Sequence, residues 1–409
     1  NTLVHTGIDE YQLLAWTLDE AGALEVVRLD TAEQRWHHQL FEPGAMVSAS
    51  FLNSSDTAAF GLADGSIQLA DIGFRTRILN APDLPPAVLA QLESGQPLVD
   101  LGSGVVEPTP SGQYRHQELE VVMGDKVTVS TGSITEIDHV VRTEGPFVVA
   151  LTRGAHPAAA VAETETLDAE IPAADETVDA EILAAETPAS GAIRMLALAW
   201  EEDTNFLTGE SSLEVGEPVE LPFEAETAPA FLEVDGAGTQ AYLVWENGHL
   251  QRLSIRNLAA ATVAEKGSLL PPGSTDRLRF FEPILGSVTY LWGDSAGNVN
   301  GGFPIRVSDA EQEIRGLFDV ERASDEPMAF ARTKSLASAT SAATASSPSA
   351  RSRLAFAGFE DGGIRLFNVT NSTEILRTSL PEKEKIVSVV MSPKEDGVLV
   401  ATERSLWHG

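Results

Sequence analysis

Three short patterns in this sequence contain residue types that could perform chemistry. The first is His37-His38, the only adjacent histidine pair, and imidazole is a common metal ligand. Neighbouring residues of a β-strand point to opposite faces of the sheet, so both rings cannot bind one metal ion without a kink in the chain. The spacing therefore argues against a metal site at this pair.

The second pattern, from Asp294 to Asn298, has a weak likeness to a calcium-binding loop. A loop of that type takes ligands from several later positions and ends on a bidentate glutamate, and the residues that follow Asn298 do not provide this order. Gly297 lies where a tight turn needs a positive φ. The sequence favours a turn over a calcium site.

The third pattern is Arg75 and Arg77, which a strand would place on one face because they are two residues apart. Arginine clusters and helix N-termini are the usual phosphate ligands in proteins. Acidic residues dominate the surrounding sequence, and the chain has no glycine-rich strand-to-helix turn that could hold a phosphate. We expect no phosphate binding by this pair.

Charge and composition exclude several classes of function. The chain has 61 acidic and 27 basic residues, a formal net charge of −34, and such a field repels nucleic acid. It contains no cysteine, which excludes thiolate metal sites and cysteine nucleophiles. Carboxylates are so abundant that a pair of them identifies nothing. We therefore predict no catalytic, cofactor-binding or metal-binding residue, no cofactor, and a protein that is not an enzyme.

The elements that would carry these residues are repeated β-hairpins. Residues 58–69 and 356–366 share one outline, an apolar strand, a tight Asp-Gly turn and a second strand ending on Ile-x-Leu. Similar outlines occur around residues 13–29, 241–255, 288–297 and 386–407. We predict tight turns between the two middle strands of each unit at Asp64-Gly65, Asn247-Gly248 and Asp361-Gly362.

The spacing of these turns predicts a repeat fold. Neighbouring turns at residues 22 and 65, 248 and 297, and 362 and about 404 lie 42 to 49 residues apart, close to the period of WD40 blades. Residues 147–151 and 193–200 are two further predicted strands that form one more hairpin, and this hairpin brings the number of predicted blades to seven. We predict an all-β, seven-bladed, WD40-like β-propeller over residues 1–409; a β-sandwich with assorted hairpins is the alternative.

Three long insertions interrupt the predicted repeat. Residues 75–117 are rich in Pro and Gly and predict an irregular excursion on one rim, apart from a helix beginning at Pro86. Residues 158–191 predict a disordered acidic insertion within a blade turn, because 161–190 hold nine acidic residues and no basic one. Residues 335–350 have the Ser/Ala-rich composition of a flexible loop.

Three phrases carry a resemblance to a known family. They are Phe206-Leu207-Thr208-Gly209-Glu210 leading to Glu220-Leu221-Pro222, then Leu291 to Gly297, and the hairpin from Gly358 to Leu366. In these the chain resembles the WD40-like extracytoplasmic domain of long-form bacterial phosphate ABC transporter permeases. The resemblance covers about residue 40 to the end, although the repeat itself occurs in many families. The tracts at 158–191 and 335–350 depart from the family pattern.

The resemblance implies a non-enzymatic domain that lies on the periplasmic face of the bacterial inner membrane as part of a longer membrane protein. The start at Asn1 and the lack of an eighteen-residue apolar run agree with a fragment of such a chain. It also implies a protein partner, for which a periplasmic phosphate-binding protein is the candidate, and a monomer when isolated. The alternatives are a free-standing propeller scaffold or lipoprotein, and a propeller enzyme with its site at the central channel.

Overall fold

The protein folds as a seven-bladed β-propeller, so the prediction of fold class and blade number is confirmed. The computed structural model describes residues 3–9, 13–52, 56–101, 104–153, 193–205, 210–284, 289–306, 312–316, 339–344, 354–368, 373–391 and 397–409. No helix within these ranges is long and apolar enough to cross a membrane.

The first three blades contain the longest strands and the single α-helix of the described residues. Blade 1 consists of β1 (Leu3–Asp9), β2 (Leu14–Asp19), β3 (Ala23–Arg28) and β4 (Gln34–Gln39). Blade 2 has six strands in the order β5 (Met46–Phe51), β6 (Thr57–Leu62), β7 (Ser66–Leu79), β10 (Tyr114–Thr128), β9 (Gly104–Pro108) and β8 (Val99–Asp100). A 3₁₀ turn (Ala81–Asp83) and helix α1 (Pro86–Glu93) lie between β7 and β8. Blade 3 consists of β11 (Ile134–Arg142), β12 (Gly145–Thr152), β13 (Ile193–Asn205), β14 (Glu210–Val215) and β15 (Val219–Ala225).

The remaining blades are antiparallel sheets of three or four described strands. Blade 4 consists of β16 (Phe231–Val234), β17 (Gln240–Val244), β18 (His249–Ser254) and β19 (Thr262–Ser268), with a 3₁₀ turn at Leu258–Ala260. Blade 5 consists of β20 (Leu278–Ile284), β21 (Thr289–Asp294), β22 (Val299–Arg306) and β23 (Gln312–Gly316). Blade 6 consists of β24 (Ala339–Thr344), β25 (Leu354–Phe359), β26 (Gly363–Asn368) and β27 (Thr373–Ser379), and blade 7 of β28 (Ile386–Met391), β29 (Val398–Thr402) and β30 (Leu406–His408).

The first strand of every blade faces the propeller axis. These seven strands touch in a closed ring, in the order β1, β5, β11, β16, β20, β24, β28 and back to β1. The ring closes between blades 7 and 1, where Ile8 and Ala15 pack against Val390 and Leu399. The hydroxyls of Thr6 and Ser388 lie 2.6 Å apart at the same junction. The seven strands therefore surround the propeller axis, and the space that they enclose is the central channel.

Apolar side chains fill the spaces between neighbouring blades, as expected where both faces of a sheet are covered. Phe60 and Leu24 belong to the cluster between blades 1 and 2, and Val148 and Ile67 to the next one. Phe147 and Leu243 lie between blades 3 and 4, and Tyr242 packs edge-on against Tyr290 between blades 4 and 5. These clusters fix each inner strand relative to its neighbours and thereby shape the channel.

The segment 75–117 is regular for most of its length, in contrast to the irregular excursion that its Pro and Gly content predicts. β7 and β10 form a long ribbon that pairs Leu79 with Tyr114 at its far end, where β9 pairs with the other edge of β10. Helix α1 begins at Pro86 directly after Pro85, Gly95 follows its end, and Pro108 ends β9. The prediction failed because these residues terminate regular elements here and do not interrupt them.

One face of this ribbon is apolar and covers blade 1. Phe74 lies 5.4 Å from the ring of Trp16 and 6.2 Å from the ring of Trp36. Beside them Glu107 of β9 accepts a hydrogen bond at 2.7 Å from Arg35, whose side chain is fully buried, and also binds Arg28. The ribbon therefore belongs to the body of the propeller.

Two of the predicted insertions lie largely beyond the described residues. The acidic tract 158–191 lies entirely outside them. Within 335–350, residues 339–344 form β24, the inner strand of blade 6, where a flexible loop was expected. The backbone of β24 pairs with that of β25. These backbone hydrogen bonds stabilise the strand, and they cannot be inferred from a composition of small residues. The rest of 335–350 lies outside the described residues.

Candidate functional site

Four carboxylic acids line one side of the central channel. Glu136 and Asp138 are two residues apart on β11, Glu233 lies on β16 and Glu282 on β20. Each side chain is only partly exposed, because the inner strands of three neighbouring blades surround it. These four acids occupy an interior position, as Glu107, Asp235 and Asp294 do elsewhere in the described part of the chain.

Burial raises the pKa of all four carboxyls, because it disfavours the charged form. It raises the pKa of Glu136 to about 7. It raises the pKa of Glu282 to about 8, with a further contribution from the charge of Asp138. The pKa of Glu233 lies well above its usual range, first through burial and then through the charges of Glu282, Asp138 and Glu136. Near neutral pH this side of the channel therefore retains protons.

Asp138 differs from the other three because it accepts hydrogen bonds from two neighbouring blades. Ser50 of β5 is the hydroxyl partner of Oδ1 at 2.7 Å, and the backbone N–H of Val234 on β16 donates to Oδ2 at 2.6 Å. The backbone N–H of His139 donates to Oδ1 at 2.8 Å. Burial raises the pKa of Asp138 to about 6, against the effect of these three bonds. One side chain thus connects blades 2, 3 and 4.

His139 continues this network into blade 2. Its side chain is fully buried, with Nδ1 2.8 Å from Ser50 Oγ and Nε2 3.1 Å from the carbonyl oxygen of Thr57. Burial lowers the pKa of His139 to about 4, against the bond to Thr57. His5 of β1 stacks on Phe51, and burial together with the charge of His139 lowers its pKa to about 4. Both imidazoles are neutral at pH 7.

The arrangement is suited to binding and exchanging protons. Carboxyls with pKa values between about 6 and 8 change charge near neutral pH, which ordinary surface carboxyls do not. Within the described part of the chain, no three acidic or histidine side chains stand in an arrangement that could hold a metal ion. The cluster is therefore better suited to binding protons than to binding metal cations.

The turn residues predicted from the sequence lie between the second and third strands of their blades. The glycine φ angles are +82° at Gly65, +87° at Gly248 and +76° at Gly362. In each turn the preceding side chain accepts a hydrogen bond at 3.0 Å from the backbone N–H two positions later, an arrangement that Asp and Asn favour. These side chains are those of Asp64, Asn247 and Asp361.

The histidine pair and the loop after Asp294 take positions away from the channel. His37 and His38 are exposed on β4, and His37 Nδ1 lies 3.5 Å from Glu25. Asp294 is buried and accepts hydrogen bonds at 3.0 Å from the backbone N–H groups of Ala296 and Asn298. Its carboxylate therefore stabilises the turn between β21 and β22.

Arg75 and Arg77 lie together on the exposed face of the ribbon, as the spacing predicts. Each forms an ion pair with a glutamate of β10, Arg75 with Glu120 and Arg77 with Glu118. The hydrogen bond from Arg77 lowers the pKa of Glu118, which therefore remains ionised. Carboxylates occupy the positions that an anionic ligand would need.

Sequence reasoning missed the channel carboxyls because it treated the abundance of acidic residues as uninformative. A signal was present in their neighbours. Glu233 stands within Phe231–Val234, and Glu282 follows Phe280-Phe281, so each is a lone acid inside an apolar first strand. Glu136 and Asp138 alternate with Ile137 and His139, which gives two acids on one face of one strand.

Comparisons with known proteins give no family for this chain. No model of a known protein family matches it, and a search of curated proteins finds no significant match.

Proposed function

We propose that this chain is a non-enzymatic protein-interaction domain. In the form that the sequence resemblance favours, it is the extracytoplasmic domain of a phosphate-type ABC transporter permease and binds a periplasmic phosphate-binding protein. The alternative is a free-standing propeller scaffold, which would also bind a protein partner but would not be part of a permease. The phrases from Leu291 to Gly297 and from Gly358 to Leu366, which carry the resemblance, fall on the strand–turn–strand units of blades 5 and 6.

The exposed face of the β7–β10 ribbon is the observation that carries the interaction proposal. Arg75 and Arg77 alternate there with Glu118 and Glu120 in a row of ion pairs of mixed sign. Val122 extends the row on the same face with a side chain that is 53% exposed. Mixed charge next to exposed apolar area is typical of the surfaces that bind other proteins, whereas an anion receptor needs unpaired donors.

Calorimetric titration of the isolated domain separates a protein-binding role from a phosphate-binding one. We expect no saturable heat with millimolar phosphate, and saturable binding of a purified periplasmic phosphate-binding protein from the same genome. Val122→Ser should weaken this binding, whereas Ile375→Ser, at an equally exposed position on blade 6, should not. Phosphate binding with a Kd below about 0.1 mM that is lost when Arg75 and Arg77 are replaced would make the domain a substrate receptor.

The channel carboxyls favour a propeller enzyme as the second candidate. General acid catalysis at neutral pH requires a carboxyl with a raised pKa, and Glu282 has one of about 8. A hydrolytic activity that is abolished in Glu282→Gln and retained in Glu217→Gln, at an exposed control position, would replace the interaction proposal. Equal activity of both variants against lactone and glycoside substrates would exclude the channel as the active site.

A further inference from the structure

Asp138, Ser50, His139 and Thr57 form an unbroken chain of three short contacts between blades 3 and 2. Oδ1 of Asp138 lies 2.7 Å from Ser50 Oγ, which lies 2.8 Å from Nδ1 of His139. Nε2 of His139 lies 3.1 Å from the carbonyl oxygen of Thr57. All three separations are those of hydrogen bonds, so each contact needs one hydrogen.

Counting hydrogens shows that the chain holds one more proton than an ionised aspartate and a neutral histidine provide. A carbonyl cannot donate, so Nε2 of His139 carries a hydrogen to Thr57. A neutral imidazole then has a bare Nδ1, which accepts the single hydrogen of the Ser50 hydroxyl. Nothing remains for the contact between Ser50 and Asp138 unless the Asp138 carboxyl is itself protonated.

The alternative placement of the hydrogens leads to the same total. If Ser50 donates to an ionised Asp138, Nδ1 of His139 must donate to Ser50 while Nε2 donates to Thr57. The imidazole then carries two hydrogens and a positive charge. Both forms contain one added proton, located at either end of the chain.

We propose that Asp138, Ser50 and His139 form a proton-binding site that joins blades 2 and 3, and that its proton leaves near neutral pH. Loss of the proton to solvent leaves two hydrogens for three contacts, so one contact between the blades is lost. The site is a pH-sensitive joint within the propeller. It is independent of the partner proposed for the domain.

The titratable groups of other blades that face this site are uncharged while Asp138 ionises. Glu233 of β16 and Glu282 of β20 face Asp138, and burial and the charge of Asp138 raise their pKa values, so both remain protonated while Asp138 ionises. His5 of β1 faces His139, and burial together with the charge of His139 lowers the pKa of His5 to about 4, so this ring is neutral in the same range. The segments of β5, β6 and β12 packed against the site contain no titratable side chain.

The pKa values place the proton on the aspartate end. Burial raises the pKa of Asp138 to about 6 and lowers that of His139 to about 4, so the neutral pair predominates below pH 6. The Ser50 hydroxyl then donates to His139 and accepts from Asp138. Above pH 6 the hydroxyl turns toward the carboxylate, and Nδ1 of His139 loses its donor.

Nuclear magnetic resonance of the full chain with ring-¹⁵N-labelled histidine tests this sequence. His139 is assigned by the signal that disappears in His139→Gln. We expect a neutral ring protonated at Nε2 below pH 6, and an Nδ1 resonance that shifts in one titration step centred near pH 6. A doubly protonated ring that loses its charge in that step would also support the site, because the added proton would then reside on the histidine.

Asp138→Asn supplies the key variant, because an amide cannot titrate. The step of the His139 resonance near pH 6 should vanish in this variant and persist in Asp125→Asn, at an exposed position. If Asp138→Asn does not fold, the ¹³Cγ resonance of Asp138 in the wild type gives the answer directly. A ring protonated only at Nδ1, a carboxyl ionised throughout pH 5–8 beside a neutral ring, or an unchanged step in Asp138→Asn would refute the proposal.

Discussion

Replacing Gly65 by alanine tests how the blade turns are packed. Gly65 has a φ of +82°, and a Cβ placed on it would lie 2.2 Å from the carbonyl oxygen of Ser130 and 2.6 Å from that of Gly132. Its own carbonyl accepts hydrogen bonds from the backbone N–H groups of Val129 and Ser130. The segment before blade 3 therefore rests directly on this turn, and alanine must displace it.

The expected cost has two parts. The left-handed conformation costs an alanine about 1 kcal/mol. Displacement of residues 129–132 weakens the two backbone bonds to Gly65 and the bond between the buried hydroxyls of Ser130 and Thr152. At about 1 kcal/mol for each bond disturbed, the total loss of unfolding free energy is about 2–4 kcal/mol.

Gly44 provides a matched control. Its φ is +83°, and a Cβ there would meet no atom within 4 Å, so Gly44→Ala should cost only the strain of about 1 kcal/mol. Urea unfolding of both variants, followed by tryptophan fluorescence, measures the difference. Equal losses in the two variants would refute the close approach of Ser130 and leave only the backbone conformation as the reason for glycine.

Two further predictions concern charged groups inside the protein. Glu107→Ala should cost about 3 kcal/mol or more in urea unfolding, because it removes the closest anionic partner of the fully buried Arg35, whereas Glu120→Ala on the exposed ribbon face should cost under about 1 kcal/mol; comparable losses would contradict this. The pKa of Glu282 is raised in the folded chain, so folding retains a proton that the unfolded chain releases, and stability should fall as pH rises from 7 through about 8. The unfolding equilibrium constant should rise with pH less steeply in Glu282→Gln than in the wild type, by up to about tenfold per pH unit. The same pH dependence in Glu282→Gln and in the control Glu217→Gln would refute the buried proton.

The sequence was sufficient for the repeat because local chemistry determines the hairpin. An Asp or Asn before glycine forms the same turn in blades 2, 4 and 6, since its side chain bonds the backbone two residues later. The strands on either side need only apolar residues to be buried between blades. Units of this kind recur at intervals of 42 to 49 residues in three of the six steps between neighbouring blades, which indicates a propeller.

The inner strand of blade 6 and the ribbon of blade 2 could not be predicted from local sequence patterns. β24 is built from Ala, Thr and Ser, and its place depends on backbone pairing with β25 and contact with β20 and β28, which are remote in sequence. In the ribbon, Phe74 gains its apolar environment from Trp16 and Trp36 of another blade. Tertiary partners of this kind override a composition typical of loops.

The candidate site was unpredictable for a related reason. A carboxyl in a strand is ordinarily solvated, and only ring closure turns the first strand of each blade toward an enclosed axis. The alternation of Glu136 and Asp138 indicated a shared face, but not that Glu233 and Glu282 of two further blades would face the same space. Composition alone argued the opposite, because so acidic a chain has carboxylates everywhere.

The titratable carboxyls are distributed unevenly around the channel, so a change of pH acts on only part of the ring. Blades 3, 4 and 5 contribute the carboxyls, whereas the junction of blades 7 and 1 is made by the hydroxyls of Thr6 and Ser388 and by an apolar cluster that includes Ile8 and Val390. Neither hydroxyl titrates in the range where the carboxyls ionise. Rising pH therefore adds repulsion on one arc of the ring while the closure that keeps the propeller circular is unaffected. The acidic arc can respond to pH without opening the ring.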